Sequence, residues 1–142
     1  IIFIFILPVI FWMIKNHPYQ YVYFNSLIGS KFDKYFDMDY WGVSNYNALN
    51  YLLKKNKGTL HVGIIGNSDL GQSRIFLDKS IRDRIIFTHD FIKADFLVDN
   101  YNRWNGIRKT KNDLIIENNF KVYFDMNINN VPFTRIYKNN FK

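Results

Sequence analysis

The first fourteen residues, IIFIFILPVIFWMI, contain no charged side chain, and this run limits the possible folds more than any other segment. A helix of this length spans roughly 21 Å at about 1.5 Å per residue, less than the roughly 30 Å hydrocarbon core of a bilayer. Pro8 is better tolerated in a membrane helix than in a soluble core. We therefore expect residues 1–15 to be the end of a last transmembrane helix that begins in a longer protein. A buried helix or strand of a soluble domain is the alternative.

A signal peptide is a poorer explanation of the same run. It would carry a basic segment before the apolar residues and a small-residue cleavage site after them. The sequence has neither feature around residues 1–15.

A dense group of rings follows the apolar run. The stretch NHPYQYVYFN, residues 16–25, places five aromatic or imidazole rings within eight positions. With Trp12 and Lys15, these rings are typical of the interface between a bilayer and water. Pro18 suits the first position of a helix capped by His17, and Gly29 is a suitable C-terminal stop for that helix. Apolar residues recur between them at helical spacing: Tyr19, Tyr23, Phe24, Leu27 and Ile28. We predict a juxtamembrane aromatic helix and loop over residues 16–43; the helix can also belong to the core of the soluble domain.

Helical and strand patterns alternate from residue 44 onward. SNYNALNYLLKK, residues 44–55, predicts a helix capped by Ser44 with one apolar face. GTLHVGIIG, residues 58–66, predicts a buried strand bounded by glycines. NSDLGQSRIFLDKS indicates a loop entering a helix, with Ile75 and Phe76 facing inward. Two further strands are expected at RIIFTH and ADFLVDNY, the second almost fully buried.

The end of the sequence predicts a β-hairpin. Apolar residues alternate with more polar ones through FKVYFDMNI: Phe120, Val122, Phe124, Met126 and Ile128. Asn129 and Asn130 tolerate the positive φ of a two-residue turn, and VPFTRIYK returns. Because Pro132 cannot donate to a ladder, we expect the returning strand at a sheet edge. The predicted fold class is α/β, with residues 44–142 forming a single soluble domain with a mixed sheet and a closing β-hairpin.

Composition narrows the possible partners. The 142 residues suffice for one domain, and an aromatic content of 19% is too high for a disordered chain. The formal charge of +7 favours an anionic partner, but the basic residues are dispersed. The rings fall mostly on apolar faces, so we expect no nucleic-acid partner. The absence of cysteine excludes disulfides, zinc–thiolate clusters and thiol nucleophiles.

Motifs for catalysis or metal binding are weak. The three histidines, His17, His61 and His89, lack the spacing of metal ligands, and no nucleophile motif is present. Asp37 and Asp39 are two residues apart, a spacing compatible with a metal or with acid–base chemistry, but also with solvated or capping acids. We assign no catalytic residue, metal ligand or cofactor within this chain.

A loop after the first strand suggests anion binding as an alternative. GIIGNSDLGQS lies between a strand and a helix, where backbone N–H groups can face a phosphate. It matches neither the Walker pattern nor the dinucleotide pattern. The candidate ligand residues are Asn67, Ser68 and Asp69, which also suit an ordinary helix cap. The chain would then be a free-standing α/β anion- or nucleotide-binding module.

Three blocks in this order resemble a known family. They are HPYQYVYFN after an apolar helix, FDMDYWGVSNYNALNYL, and the closing NINNVPFTRIYK. Their order and spacing are similar to the C-terminal region of polytopic bacterial glycosyltransferases of the dolichyl-phosphate-mannose–protein mannosyltransferase-like family, which have the GT-C fold. The positions that match the blocks are His17, Pro18, Tyr19, Tyr23, Phe24, Asn25, Asp39, Tyr40, Trp41 and Gly42.

The resemblance implies a parent enzyme that transfers a sugar from a polyprenyl-phosphate donor on the extracytoplasmic side of the bacterial inner membrane. The catalytic acids of that family lie in an early extracytoplasmic loop, so this chain would be structural or substrate-shaping. Membrane lipid and, through the parent chain, the lipid-linked sugar are the implied partners. We expect substrate- or membrane-proximal positions for His17, Tyr19, Tyr23, Asn25, Asp39, Tyr40 and Trp41. The charge of +7 does not oppose this placement, because long domains translocate regardless of charge.

Overall fold

The computed structural model describes residues 2–22, 38–39, 41–66, 69–101, 111–128 and 131–142. The helices are α1 (Ile2–Lys15), α2 (Val43–Lys55), α3 (Leu70–Arg74), α4 (Lys79–Arg82) and α5 (Lys111–Asn119), with a 3-10 turn at Gln20–Val22. The strands are β1 (Leu60–Ile65), β2 (Ile85–Phe87), β3 (Phe96–Asp99), β4 (Phe120–Ile128) and β5 (Val131–Asn139).

The five strands form one mixed sheet in the order β2-β1-β3-β5-β4. β1 is parallel to both β2 and β3, whereas β5 is antiparallel to β3 and to β4. β4 and β5 form the closing hairpin, with Ile128 paired to Val131. The α/β class and the mixed sheet are therefore confirmed; the two asparagines expected in the turn lie outside the described residues.

Both faces of the sheet are covered. On one face α2 packs its buried side, Ala48, Leu49, Leu52 and Leu53, against Val62, Val98 and Ile136. On the other face Leu97 and Phe120 pack with Ile116 of α5. Successive residues of a strand point to opposite faces, so Leu97 and Val98 enter different core clusters. All four residues of β3 are buried, as predicted.

The returning strand is not at the edge of the sheet, contrary to the expectation drawn from Pro132. β5 lies between β3 and β4, and β4 is the edge strand. β3 pairs with β5 only from Arg135 to Lys138, whereas Pro132 pairs with Asn127 of β4 beside a register irregularity. Among the described strands, Pro132 therefore has a neighbour on one side only, and its missing N–H interrupts no ladder on the other.

Two predictions of inward-facing residues were wrong. Ile75 and Phe76 are 70% and 77% exposed, because α3 ends at Arg74 and the chain turns before the buried Leu77. Val122, on the edge strand β4, is also exposed. The β4–β5 register shifts after Val122, and Phe124 then packs with the core cluster on the α2 side of the sheet.

The apolar N-terminal run forms α1. Val9 and Trp12, three positions apart on one side of the helix, are partly buried. Apolar side chains are exposed over most of the remaining circumference: Phe3, Ile4, Ile6, Leu7, Ile10, Phe11, Met13 and Ile14. Trp12 is partly buried against the domain. Among the described residues, no helix has both the length and the apolar character needed to cross a bilayer.

The segment after α1 differs from the predicted helix. The Tyr19 N–H donates to the carbonyl of Asn16 at 2.6 Å, which places Pro18 inside a turn rather than at the start of a helix. A single 3-10 turn follows at Gln20–Val22. The remainder of the predicted helix, residues 23–28, lies outside the described part of the chain.

Candidate functional site

Several elements meet beyond the carboxyl end of β3. The chain leaving α1, the first turn of α2 and the tip of the β4–β5 hairpin converge there. We call this cluster the junction. Its described residues are Tyr19, Tyr21, Met38, Asp39, Ser44, Asn47, Asn100, Ile128, Phe133 and Thr134.

Asp39 is the centre of the junction and is fully buried. Its Oδ1 accepts the Val43 N–H at 3.0 Å and its Oδ2 accepts the Ser44 N–H at 2.8 Å. These two N–H groups belong to the first turn of α2, where the helix has no internal acceptors for them and carries a partial positive charge. The Asp39 carboxylate therefore caps α2.

Two hydroxyl groups complete the environment of this carboxylate. The Tyr21 hydroxyl donates to Oδ1 of Asp39 at 2.5 Å, and the Ser44 hydroxyl donates to Oδ2 at 2.5 Å. A buried carboxylate is costly unless donors surround it, and here four donors do so. Ser44 was predicted to cap α2; instead it lies inside the first turn, because Asp39 reaches the same N–H groups with a charged oxygen.

The backbone of Asp39 is also held. Its carbonyl accepts the Gly42 N–H at 3.0 Å and the side-chain amide of Asn100 at 3.4 Å. Gly42 lies at φ 66°, a left-handed conformation that favours glycine and turns the chain into α2. The Thr134 hydroxyl donates to that of Ser44, which links the cap to β5. The junction thus ties the incoming chain to two strands of the sheet.

Tyr19 forms the apolar half of the junction. Its ring packs on that of Phe133, with centroids 4.7 Å apart, and contacts Met38 and Ile128. The Asn47 amide donates to the Tyr19 hydroxyl. Burial raises the pKa of Tyr19, although the hydrogen bond from Asn47 opposes the rise. The stretch after the apolar run is rich in residue types found at membrane interfaces. Its Tyr19 also holds this stretch to the α/β domain.

The phenol of Tyr21 is strongly held in its neutral form. Burial of its hydroxyl end raises the pKa of Tyr21, and the hydrogen bond to the carboxylate of Asp39 raises it further. A phenolate there would lose that bond and repel the carboxylate. The pair is therefore a stable donor and acceptor and does not form a proton-transfer couple near neutral pH.

The hydrogen bonds at the junction indicate a structural role, not a catalytic one. Both oxygens of Asp39 are occupied by donors and are buried, so the carboxylate is not placed to act as a general base on a ligand. Among the described residues there is no cluster of three or more His, Asp or Glu side chains that could hold a metal ion. The geometry gives Asp39 a positioning role.

The other residues of the matching blocks occupy different environments. His17 is exposed, and its Nδ1 accepts a hydrogen bond from the Gln20 amide at 2.6 Å. Trp41 is 77% exposed and lies directly before Gly42, at the rim of the junction. The predicted positions Tyr23, Asn25 and Tyr40 lie outside the described residues.

The alternative anion site is partly described. Asn67 and Ser68 lie outside the described residues. Asp69 accepts the Gly71 N–H at 2.7 Å and so caps the five-residue α3. A cavity of about 390 Å³ lies at the carboxyl ends of β1 and β2, with Gly66, Asp69, Thr88 and His89 among its lining residues. The position is typical of ligand sites in α/β sheets, but the carboxylate of Asp69 disfavours an anion.

The sequence analysis missed most partners of Asp39. Tyr21 was part of the ring cluster and Ser44 was assigned to the cap, but neither was connected to Asp39. Asn100 and Thr134 lie 61 and 95 positions after Asp39 along the chain, and their types are unremarkable in a strand or loop. One indication of this site was present in the sequence: Asp39 lies a few residues before α2, and an acid in that position can accept hydrogen bonds from the first turn of the helix.

Comparisons with protein-family models, with curated proteins and with solved structures found no match to this chain.

Proposed function

We propose that this chain is the C-terminal region of a membrane glycosyltransferase, in which the α/β domain is fastened to the end of the last transmembrane helix. One observation carries the proposal. An apolar helix that is exposed over most of its circumference runs directly into a buried polar junction that holds the chain to the sheet. A helix that is apolar all round requires an apolar environment, and a bilayer supplies one.

The resemblance of the three sequence blocks supplies the activity. The parent enzyme would transfer a sugar from a polyprenyl-phosphate donor, with this domain on the extracytoplasmic side of the bacterial inner membrane. The catalytic carboxylates would lie outside this chain, which agrees with the saturated hydrogen bonding of Asp39. The domain would then shape the membrane side of the substrate site.

The blocks gain a physical explanation in this proposal. Tyr19 and Asp39 connect the first block to the second, because the ring of Tyr19 packs with Met38, the neighbour of Asp39. Phe133 of the third block closes the same cluster. Three segments distant in sequence therefore form one structural unit, and that unit would hold Trp41 and His17 at the membrane-facing rim.

Trp41 provides the test. In the longer protein that contains this chain, Trp41→Ala should lower sugar transfer from a polyprenyl-phosphate donor by about tenfold or more, as is common for residues that position a substrate. The folded yield should change little, because the side chain is 77% exposed. The measurement is transfer rate per folded protein, determined in the same membranes.

Phe141→Ala is the matched control, since Phe141 is exposed to the same 77% and lies just beyond the far end of β5. It should leave both activity and yield unchanged. Equal losses of activity and yield in the Trp41 variant would contradict a substrate-shaping role for this rim.

Anion binding by a free-standing module is the second candidate, and the cavity at the ends of β1 and β2 is the observation that favours it. It predicts a tight dissociation constant for inorganic phosphate or a nucleotide. Asp69→Asn should then strengthen binding, because it removes a negative charge from the cavity wall. Absence of saturable binding by calorimetry would dismiss this candidate.

A further inference from the structure

A second apolar surface lies near the junction. Ile75 and Phe76 are adjacent in sequence, exposed by 70% and 77%, and end the α3 segment with two large apolar side chains in water. Trp41 is exposed to a similar extent. Exposed apolar residues that cluster mark an interaction surface more reliably than single ones.

The fold places the α3 segment beside the start of α2. The Ser73 hydroxyl lies 3.5 Å from the Gly42 carbonyl, to which it donates, and both groups are in buried surroundings. Gly42 follows Trp41 directly, and Phe76 comes three residues after Ser73, to whose carbonyl its N–H donates at 3.3 Å. The end of α3 therefore flanks the start of α2, the point at which the chain from α1 is fastened.

We propose that Trp41, Ile75 and Phe76 form a lipid-contact patch that rests on the surface of an anionic bilayer. This inference builds on the proposed function, because it takes α1 as the membrane anchor. It adds that the α/β domain is held against the membrane rather than projecting freely from it. The patch consists of the residue types that insert at headgroup depth.

Continuity with α1 identifies the occupant as lipid. The junction connects α1 to the first turn of α2, and the patch lies beside that same turn. Charge agrees with this choice. Residues 74–83 contain three basic side chains, Arg74, Lys79 and Arg82, against the two acids Asp78 and Asp83. An excess of positive charge beside exposed apolar residues favours a surface of anionic lipid.

The test uses the full chain in vesicles of phosphatidylethanolamine and phosphatidylglycerol, with brominated lipids as depth-dependent quenchers of tryptophan. Trp12, Trp41 and Trp104 are replaced by Phe in pairs, to leave one reporter at a time. In a background lacking all three, Phe76→Trp reports on the patch. Ile92→Trp is the control, because Ile92 is 69% exposed and its carbonyl faces Asn139 at the far end of β5.

Trp12 should be quenched by bromines near the headgroups, because it lies near the interfacial end of α1 and is partly buried against the domain. Trp41 and the tryptophan of the Phe76→Trp variant should be quenched by shallow bromines about twofold more than the tryptophan of the Ile92→Trp variant, since interfacial residues insert only a few ångströms into the bilayer. Equal circular dichroism spectra of the two variants would confirm that both fold.

The outcomes separate the two proposals. Quenching of Trp12 by lipid with no excess at residue 76 over residue 92 would overturn the lipid-contact patch and leave the membrane anchor intact. Absence of quenching at Trp12 would overturn both. Shielding of residue 76 from aqueous iodide without lipid quenching, in a species of twice the chain mass, would show that a second copy covers the patch and that the lipid assignment is wrong.

Discussion

Helices α1 and α2 are almost equal in length, at 14 and 13 residues, but they are stabilised in different ways. α2 buries one face, including Leu49 and Leu52, against the sheet and exposes Lys54 and Lys55 in its last turn. α1 is apolar on every side and exposes most of its described side chains, although Val9 and Trp12 are partly buried. α2 therefore finds its apolar environment inside the described part of the chain, whereas we expect α1 to find one outside it.

The two helices also differ at their ends. α2 is capped by a buried carboxylate, whereas α1 contains Pro8 in its interior and no acid in its first turn. A helix of fewer than about 15 residues is marginal in water even without a proline. We therefore expect the helical state of α1 to depend on lipid or detergent, and that of α2 to depend on the sheet.

The largest difference between the helices should appear on truncation of an apolar side chain. Leu52→Ala should lower the free energy of unfolding by about 2–5 kcal/mol, because the side chain is fully buried and leaves a cavity. Phe11→Ala in α1 should lower it by less than about 0.5 kcal/mol, since that ring is exposed. Urea unfolding of both variants in detergent measures the contrast. Similar losses would show that α1 packs on the domain.

A smaller effect is expected at the cap of α2. Asp39→Ala should destabilise the domain by about 1–3 kcal/mol, because it leaves buried N–H and hydroxyl donors without an acceptor. Asp69→Ala is the matched control; it also removes a capping carboxylate, but from an exposed site on a five-residue helix. Its cost should lie at the low end of the range of about 0.5–2 kcal/mol for caps. Equal costs would contradict the central role of Asp39.

The hydrogen bond from Tyr21 to Asp39 should give the junction a dependence on alkaline pH. The folded pKa of Tyr21 is raised above its ordinary value of 10.0, first by burial and then by the bond to Asp39. Below pH 10 the phenol is protonated in both states and the stabilisation is complete. Above pH 10 only the unfolded chain releases the proton, so the free energy of unfolding falls as pH rises.

Tyr21→Phe tests this dependence. At pH 7 the variant should be about 1 kcal/mol less stable, the usual net contribution of one hydrogen bond. Between pH 10 and pH 12 its stability should fall less steeply than that of the parent chain. Parallel curves would show that Tyr21 is solvated. In the Asp39→Ala background the effect of Tyr21→Phe at pH 7 should shrink, because the acceptor is gone.

The smallest effect is expected from Pro8→Ala. It should change the free energy of unfolding of the α/β domain by less than about 0.5 kcal/mol, because Pro8 is exposed on a helix that contacts the domain through Trp12. The helical circular dichroism signal in water should nevertheless rise, since proline disfavours a helix interior. A large gain in domain stability would erase the distinction between α1 and α2.

The sequence predicted those helices and strands whose apolar residues follow a clear periodicity. α2, β1 and β3 follow from their apolar spacing and flanking residues, and the hairpin follows from two adjacent apolar segments. The position of β5 inside the sheet could not be predicted, because Pro132 indicates an edge strand. β3 pairs with β5 only from Arg135 to Lys138, so Pro132 does not interrupt the hydrogen bonds between these two strands. α5 has a weak helical pattern and was not predicted.

The junction shows the same limit. An acid before α2 is a local signal, but its partners on β5 and after β3 depend on the tertiary fold. Ile75 and Phe76 were assigned to the core because apolar residues after a helix start are usually buried. α3 ends at Arg74, before these two residues, and their side chains remain on the surface.

The position of β5 has a consequence for the order of folding. It is the last strand in the chain, yet it separates the three parallel strands from β4. During synthesis the edge of β3 that pairs with β5 therefore stays without its partner until some thirty more residues have been made. Unpaired strand edges of this kind favour aggregation. If α1 enters a membrane first, as proposed above, the sheet would be completed beside the bilayer, where tethering keeps neighbouring copies apart.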